Sequence, residues 1–313
     1  MKSIYRKSLC HFVLAVVIFS FVSACSRNVG REITDRAGRR VTVGGTVNRI
    51  VSTAPSNTEI ITDLGLAHKL IAIDRHSVHI KARDGYPEIP AGLPLLDFFY
   101  PDAEVIIGLK PDIIIASGHN PTGSGDDPFR LLHEMGIPVV YIPMSRSIDD
   151  IYRDIAFIAD LLHVTAKGEE VINEMQAQVA EITEMAVEID RRMTVYFEIS
   201  AAPEMMSFGR GSFIDDMISA IGAINIFADE NWLVTPGAES IIRGNPDVIL
   251  TNVNYIDDPA GEIQSRPGFN HINAVINNRI YQIDTDSSVR SSARIVLALR
   301  QMAQAVYPDL YDK

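Results

Sequence analysis

The chain has 313 residues, 47% of them hydrophobic, enough for two domains with separate cores. Its formal charge of -12 argues against nucleic acid or an anionic membrane surface as a direct partner, because its field repels phosphate. With only Cys10 and Cys25, it has no disulfide framework and no thiolate metal cluster.

The N-terminus indicates the compartment. Lys2, Arg6 and Lys7 form a basic start, residues 12–22 are apolar except for Ser20, and the run ends in Val22-Ser23-Ala24-Cys25. This reads as a secretory signal, too short for a spanning helix. The small residues before Cys25 resemble a lipobox, where bacterial lipoproteins are cleaved and lipidated on the new N-terminal cysteine. Residues 1–24 are then a signal peptide, and Cys25 is the lipidation site and the lone cysteine of the mature chain. Losing the three basic residues of the signal leaves 25 Lys and Arg against 40 Asp and Glu, a charge of about -15. Acyl chains, not surface charge, would hold such a chain at a membrane.

Residues 25–48 read as a tether followed by a hairpin, with β-branched arms around Ala37-Gly38. From residue 49 strands and helices alternate: a strand at 49–53, a helix at 56–64 capped by Ser56 or Asn57 and ended by Gly65, and a strand at 70–73. An irregular stretch follows, then a helix at 128–135 and a strand at 138–142. Such alternation predicts a mostly parallel sheet. Residues 148–162 carry apolar residues at helical spacing. Thr165 can cap a second helix reaching residue 191, with Ile172, Met175, Val179, Ile182, Met185 and Ile189 on one stripe. A strand at 193–199 opens a second α/β region with a helix at 212–221, a short strand at 225–227, a late strand at 279–283 and a final helix at 291–306.

A short stretch occurs in both regions. Ala103-Glu104-Val105-Ile106-Ile107 leads to Pro111-Asp112-Ile113-Ile114-Ile115, and Ala238-Glu239-Ser240-Ile241-Ile242 leads to Pro246-Asp247-Val248-Ile249-Leu250. Each copy reads as a helix of one or two turns, a Pro-Asp break and a buried strand. The repeat predicts two related lobes with the functional cleft between them, and it puts Glu104 and Glu239 at matching places. The aromatic run Phe98-Phe99-Tyr100 precedes the first copy and Trp232, the lone tryptophan, precedes the second. Both would fall in loops at strand ends, where the crevices of open α/β sheets form.

Enzyme signatures are missing: there is no G-x-S-x-G elbow and no phosphate loop ending in Gly-Lys-Ser/Thr. Gly209-Arg210-Gly211-Ser212 could hold an anion on backbone N–H groups, or be a tight turn with an N-cap. Arg210 could meet a ligand carboxylate. Eight histidines raise the alternative of a bare zinc or manganese site, which requires His76, His79 and His119 to converge.

Several segments together resemble the ABC-importer solute-binding lipoproteins for ferric siderophores, haem or vitamin B12, the class III periplasmic binding proteins. They are Arg49-Ile50-Val51-Ser52 with Ala54-Pro55-Ser56-Asn57-Thr58-Glu59, Leu109-Lys110-Pro111-Asp112, Gly136-Ile137-Pro138-Val139, Tyr196-Phe197-Glu198, Asn245-Pro246-Asp247 and Arg266-Pro267-Gly268-Phe269. The resemblance covers nearly all of the mature chain. It implies two Rossmann-like α/β lobes with parallel-rich sheets, residues 49–164 and 192–313, joined by one long helix, residues 165–191, that restrains closure. It implies no enzymatic activity and no cofactor. The ligand would be an iron chelate, haem or corrinoid, and the partner an ABC permease dimer with its ATPase. The protein would be an extracytoplasmic monomer held to the bacterial membrane by its lipid. By motif position, Glu104 and Glu239 would pair with permease arginines. The class has no single ligand motif, so Phe98, Tyr100, His119, Arg210, Trp232 and Arg290 are cleft candidates by position, with Asp286 beside Arg290. An extracytoplasmic enzyme on the same scaffold is a further alternative, needing a cleft carboxylate or histidine with a strongly shifted pKa.

Overall fold

The computed structural model describes residues 30–82, 85, 87–123 and 125–311. The signal peptide, the lipidation site Cys25 and residues 26–29 of the tether lie outside the described residues.

Strands β1 (Arg31–Thr34) and β2 (Arg40–Val43) pair antiparallel as the hairpin. The Asp35 carboxylate accepts the N–H groups of Ala37 and Arg39 within the turn, and that of Tyr141 at 3.1 Å. The third bond fastens the hairpin to the edge of the first lobe.

That lobe runs β3 (Ile50–Ser52), α1 (Pro55–Asp63), β4 (Leu70–Asp74), β5 (Leu95–Leu96), α2 (Ala103–Leu109), β6 (Ile113–Ser117) and β7 (Val139–Ile142). Its strands form one parallel sheet in the order β5-β4-β3-β6-β7. Both faces are covered, so every residue of β6 and β7 is buried and all but Ser117 are apolar or aromatic. Helix α1 begins at Pro55 with Ala54 in the capping position, so neither Ser56 nor Asn57 caps it. Proline suits the first turn because its missing N–H would have no helical partner there. Asn57 is buried instead, and its amide donates to the carbonyls of Ile115 and Ala116 at 3.3 Å. Gly65, at φ +78°, closes the helix as expected.

Helices α3 (Ile148–Leu161) and α4 (Thr165–Ala186) follow. Val164, not Thr165, stands at the start of α4 and makes no side-chain cap. The helix ends at Ala186, short of the expected residue 191, and the chain turns through Glu188 and Ile189. Gly168 lets α4 lie close on α3, since a Cβ there would be 2.4 Å from Ala159 Cβ.

The second lobe runs β8 (Thr194–Glu198), β9 (Ser207–Phe208), α5 (Phe213–Ala220), β10 (Ile224–Asn225), β11 (Leu233–Val234), α6 (Ala238–Gly244), β12 (Val248–Thr251), β13 (Ile280–Gln282) and α7 (Ile295–Val306). Its main sheet is parallel, in the order β10-β8-β12-β13, and β9 pairs antiparallel with β11 beside it.

The repeated stretch builds the same unit in each lobe. Helices α2 and α6 both have seven residues and end on a left-handed residue, Lys110 at φ +50° or Asn245 at φ +40°. Each leads into an internal strand, β6 or β12. The aspartate of each Pro-Asp pair ties that strand to the start of its neighbour. Asp112 accepts the N–H groups of Asn48 and Arg49 at 2.8 and 2.9 Å; Asp247 accepts that of Thr194 at 3.1 Å.

One hydrophobic core runs through both lobes. It joins Ile60 and Ile115 to Ile151 and Ile155 of α3, Met175 and Ile182 of α4, Val195 and Phe197 of β8, and Leu299 and Met302 of α7. Each lobe has a second cluster of its own on the other sheet face, around Ile106 and Phe129 or around Ile241 and Phe269. The two lobes are therefore joined through this shared core.

Candidate interlobe ligand site

All five strands of the first sheet point the same way, so the loops leaving their carboxyl ends gather along one edge. Phe98 and His119 are there, with His76 after β4 and Arg146 after β7. Asn120, buried after β6, accepts from Thr53 Oγ1 at 2.8 Å and donates to the carbonyls of Phe98 and Phe99 at 2.8 and 3.2 Å. The Asp97 carboxylate accepts the N–H groups of Tyr100 and Phe99, which hold its pKa below the ordinary value. The aromatic run is thus pinned through its backbone. Phe98 is half-buried between two histidines, its ring centroid 5.5 Å from that of His76 and 4.8 Å from that of His119. Phe99 and Tyr100 are largely exposed. The His119 Nδ1 lies 3.4 Å from Ser117 Oγ, and desolvation lowers its pKa, favouring the neutral imidazole.

The opposing wall comes from β9, β11 and the loops of the second lobe. Trp232 sits at φ +59°, held by backbone bonds from Gly209 N to its carbonyl and from its own N–H to the Arg210 carbonyl, 2.7 and 2.9 Å. Its indole meets Phe208 edge-on at 5.8 Å and is half-buried. Arg210 is exposed, with Nη2 donating to Asn231 Oδ1 at 3.3 Å. The Gly209–Ser212 segment is a tight turn: Ser212 Oγ donates to the Gly209 carbonyl and accepts from Asp215 N as the cap of α5. Tyr255, after β12, is 66% exposed, and its hydroxyl accepts from Ala201 N at 2.9 Å.

Two sets of contacts join the walls. At the hinge, Arg290 Nη1 donates to Glu59 Oε1 at 2.9 Å, Ser292 Oγ donates to Glu59 Oε2 at 2.6 Å, and Arg290 Nη2 reaches the His76 carbonyl at 3.2 Å. Asp286 lies 2.7 Å from the same guanidinium. Burial pushes the Glu59 carboxyl above its ordinary pKa against the pull of Ser292 and Arg290. At the other end, Arg146 Nε approaches the Gly211 carbonyl at 3.4 Å and its guanidinium carbon stands 5.0 Å from the Trp232 ring centroid. The adjacent Ile148 N donates to Asp216 Oδ2 at 3.0 Å.

The structure thus brings Phe98 and His119 together in the first lobe and Arg210 and Trp232 together in the second. Tyr100 lies beside the first group, while Arg290 is bound in the hinge by two carboxylates. Sequence reasoning missed Arg146, Tyr255 and Glu59. Arg146 and Tyr255 stand in no motif; Glu59 lies in one of the quoted segments, but its partner is 231 residues away. The metal alternative required His76, His79 and His119 to converge. The Phe98 ring stands between His76 and His119, and no group of three or more His, Cys, Asp or Glu could hold a metal among the described residues. Two surface hollows of about 480 Å³ lie elsewhere, one at the amino ends of β8 and β13 and one behind the hinge beside α4. Neither meets the converging strand ends.

Glu104 and Glu239 both occupy the second position of their helices, α2 and α6, and both are exposed. Neither side chain has a hydrogen bond or ion pair among the described residues. No helix among the described residues is long and apolar enough to cross a membrane.

The chain is similar in sequence and fold to known solute-binding proteins. The chain is 29% identical to YvrC of Bacillus subtilis, an uncharacterized ABC transporter substrate-binding lipoprotein, over 90% of this chain and 87% of that protein. A possible iron-binding periplasmic solute-binding protein from Staphylococcus epidermidis superposes with a TM-score of 0.73 at 28% identity, covering 84% of this chain and 99% of that one. The periplasmic haem-binding protein RhuT of Roseiflexus superposes with a TM-score of 0.71 at 25% identity, covering 84% and 98%. Residues 50–287 match the periplasmic binding protein family model, and the chain belongs to that family of transporter solute-binding proteins.

Proposed function

We propose that the protein captures a metal chelate outside the cytoplasmic membrane and delivers it to an ABC permease. The observation that carries this reading is the interlobe site. The loops after the parallel strands carry Phe98, Phe99 and His119 in the first lobe and Phe208, Trp232 and Tyr255 in the second. Arg146 of the first lobe reaches the Gly211 carbonyl and the Trp232 ring of the second, which supports a ligand site between them. Aromatic faces suit the apolar body of a large chelate, and arginine and hydroxyl groups suit its polar rim. The iron- and haem-binding names of the two structural relatives favour a chelate as cargo. Glu104 and Glu239 are the docking charges in this reading, one on each lobe, suited to a dimeric permease. Lipid on Cys25 would keep the protein at the membrane surface.

The test is a fluorescence titration of the mature protein through Trp232, its lone tryptophan, corrected for ligand absorbance. Haemin, ferric citrate, a ferric tris-catecholate and cyanocobalamin are compared with free zinc and manganese. Saturable binding of one chelate with no response to free metal is expected. A response to free metal alone would overturn the chelate reading.

A further inference from the structure

The second lobe grips the first at two points with matching spacing. Arg290 bonds the Glu59 carboxylate at 2.9 Å and, through Nη2, the His76 carbonyl at 3.2 Å. Arg294 lies 3.9 Å from Asp63 and donates to the Lys81 carbonyl. Each point has the same parts: one arginine, one carboxylate of α1 and one backbone carbonyl of the stretch after β4. Glu59 and Asp63 share one face of α1, about 6 Å apart along its axis. Between the two arginines, Ser292 Oγ donates to the second Glu59 oxygen at 2.6 Å.

The stretch between those two carbonyls is also tied into its own lobe. Asp74 Oδ1 accepts the His76 N–H at 2.8 Å, and Asp74 Oδ2 bonds Ser77 Oγ. That hydroxyl lies 3.1 Å from Thr58 Oγ1 of α1, and Ile80 N donates to the Ser77 carbonyl at 3.1 Å. Asp74, Ser77 and Thr58 are all buried. Residues 76–81 are therefore a turn rooted in the first lobe and held at both ends by arginines of the second. From this turn the His76 ring meets Phe98 edge-on at 5.5 Å.

We propose that Arg290 and Arg294 form a two-point clamp that restricts relative motion of the lobes and carries what motion remains, through the 76–81 turn, to the His76–Phe98 contact. A single attachment is a pivot. Two attachments leave rotation only about the line through them, and here each arginine also holds a carbonyl off that line, so the turn must follow such a rotation. The planar guanidinium suits this role, since its fork fixes the directions of two bonds at once. The Glu59 and Asp63 side chains are 1% and 4% exposed, so salt screens these attachments less than it screens surface pairs. The shared core confines the motion to small shifts of the kind that packed interfaces allow. Arg300 of α7 pairs instead with Glu181 of α4 at 3.0 Å, both exposed, and supplies a control.

The experiment uses the mature chain with Cys25→Ser, so that thiols introduced by Val105→Cys on α2 and Arg243→Cys on α6 are the only ones to take spin labels. Both positions are exposed, one in each lobe. Interlobe distances are read by double electron–electron resonance. The His76 ring is read by proton NMR on the unlabelled chain and assigned through His76→Gln. R290K, R294Q and R300Q are compared with the unaltered clamp, with circular dichroism to establish folding. R294Q is expected to at least double the width of the distance distribution. It is also expected to shift the His76 signal, although Arg294 bonds the far end of the turn, at Lys81. R290K keeps the charge without the two-pronged geometry and is expected to show both effects more weakly. R300Q is expected to show neither. Unchanged distances in R294Q would refute the clamp, and changed distances with an unmoved His76 signal would refute the transmission. Equal effects in R300Q would mean a general loosening and refute both. No ligand enters these measurements, so every outcome leaves the solute-binding reading standing.

Discussion

Glu59 in the first lobe and Arg290 in the second form a buried ion pair, Oε1 to Nη1 at 2.9 Å, with side chains 1% and 12% exposed. Ser292 holds the other carboxylate oxygen at 2.6 Å. The pair joins the two lobes and touches the turn that carries His76, whose ring meets Phe98 edge-on. Removing one partner leaves the other charge stranded in a low-dielectric site. Arg290→Ala is therefore expected to cost about 3 kcal/mol or more in a urea unfolding titration, and the added Glu59→Gln to recover part of that loss. A single variant as stable as wild type would mean that the pair is solvated at the hinge.

Asp154 makes a pH-dependent contribution. It is 1% exposed, bonded to Arg36 Nε at 2.6 Å and Ser145 Oγ at 2.9 Å, yet burial outweighs these partners and pushes its pKa up to about 6. Between the ordinary aspartate value near 3.8 and about 6, the folded chain keeps a proton that the unfolded chain has released. Stability therefore falls as pH rises through that window, by about 3 kcal/mol for a two-unit shift. Asp154→Asn, measured by chemical denaturation from pH 4 to 7, is expected to flatten this part of the profile.

The two exposed glutamates separate delivery from capture. Glu104→Lys with Glu239→Lys is expected to lower uptake into cells by an order of magnitude or more. The affinity for the chelate should stay within about twofold, since neither residue belongs to the cleft wall. Each reversal also places a cation in the first turn of a helix, which costs about 0.3–1 kcal/mol. Uptake and calorimetry on the same variant decide it: unimpaired uptake, or lost ligand affinity, would remove the docking role.

Gly168 sets the spacing of α3 and α4. Alanine there would gain about 1 kcal/mol of helix propensity. Its Cβ would stand 2.4 Å from Ala159 Cβ, a clash that the packed helices must relieve by shifting. Overpacking of this kind costs about 1–3 kcal/mol, so the net effect of Gly168→Ala is a lower Tm. Pairing it with Ala159→Gly should relieve the clash and restore much of the loss.

Much of this architecture could be read from local pattern. The repeat around Glu104 and Glu239 announced two related units, because an apolar run after a Pro-Asp break has few other ways to be buried. The strands at 70–73 and 138–142 fell close to their places for the same reason. The helix starts misled: Ser56, Asn57 and Thr165 are good caps by residue type, but Ala54 and Val164 hold the capping positions. Capping is worth about 1 kcal/mol, and tertiary placement of the apolar face outweighs it. The roles of Asp112 and Asp247 were equally hidden, because each bonds the start of a strand more than fifty residues earlier.

The sequence by itself determined the α/β class, the duplication, the matched surface glutamates and the gathering of aromatic loops at strand ends. Each of these follows from periodicity or from neighbours in the chain. Only the tertiary structure decided which cations are ion-paired. Arg290 and Arg146 look alike in the sequence, yet one is neutralised by Glu59, 231 residues away, and the other reaches only a ring and a carbonyl. Charge pairing is a property of folded geometry, screened over about 10 Å in salt solution, and chain position does not encode it.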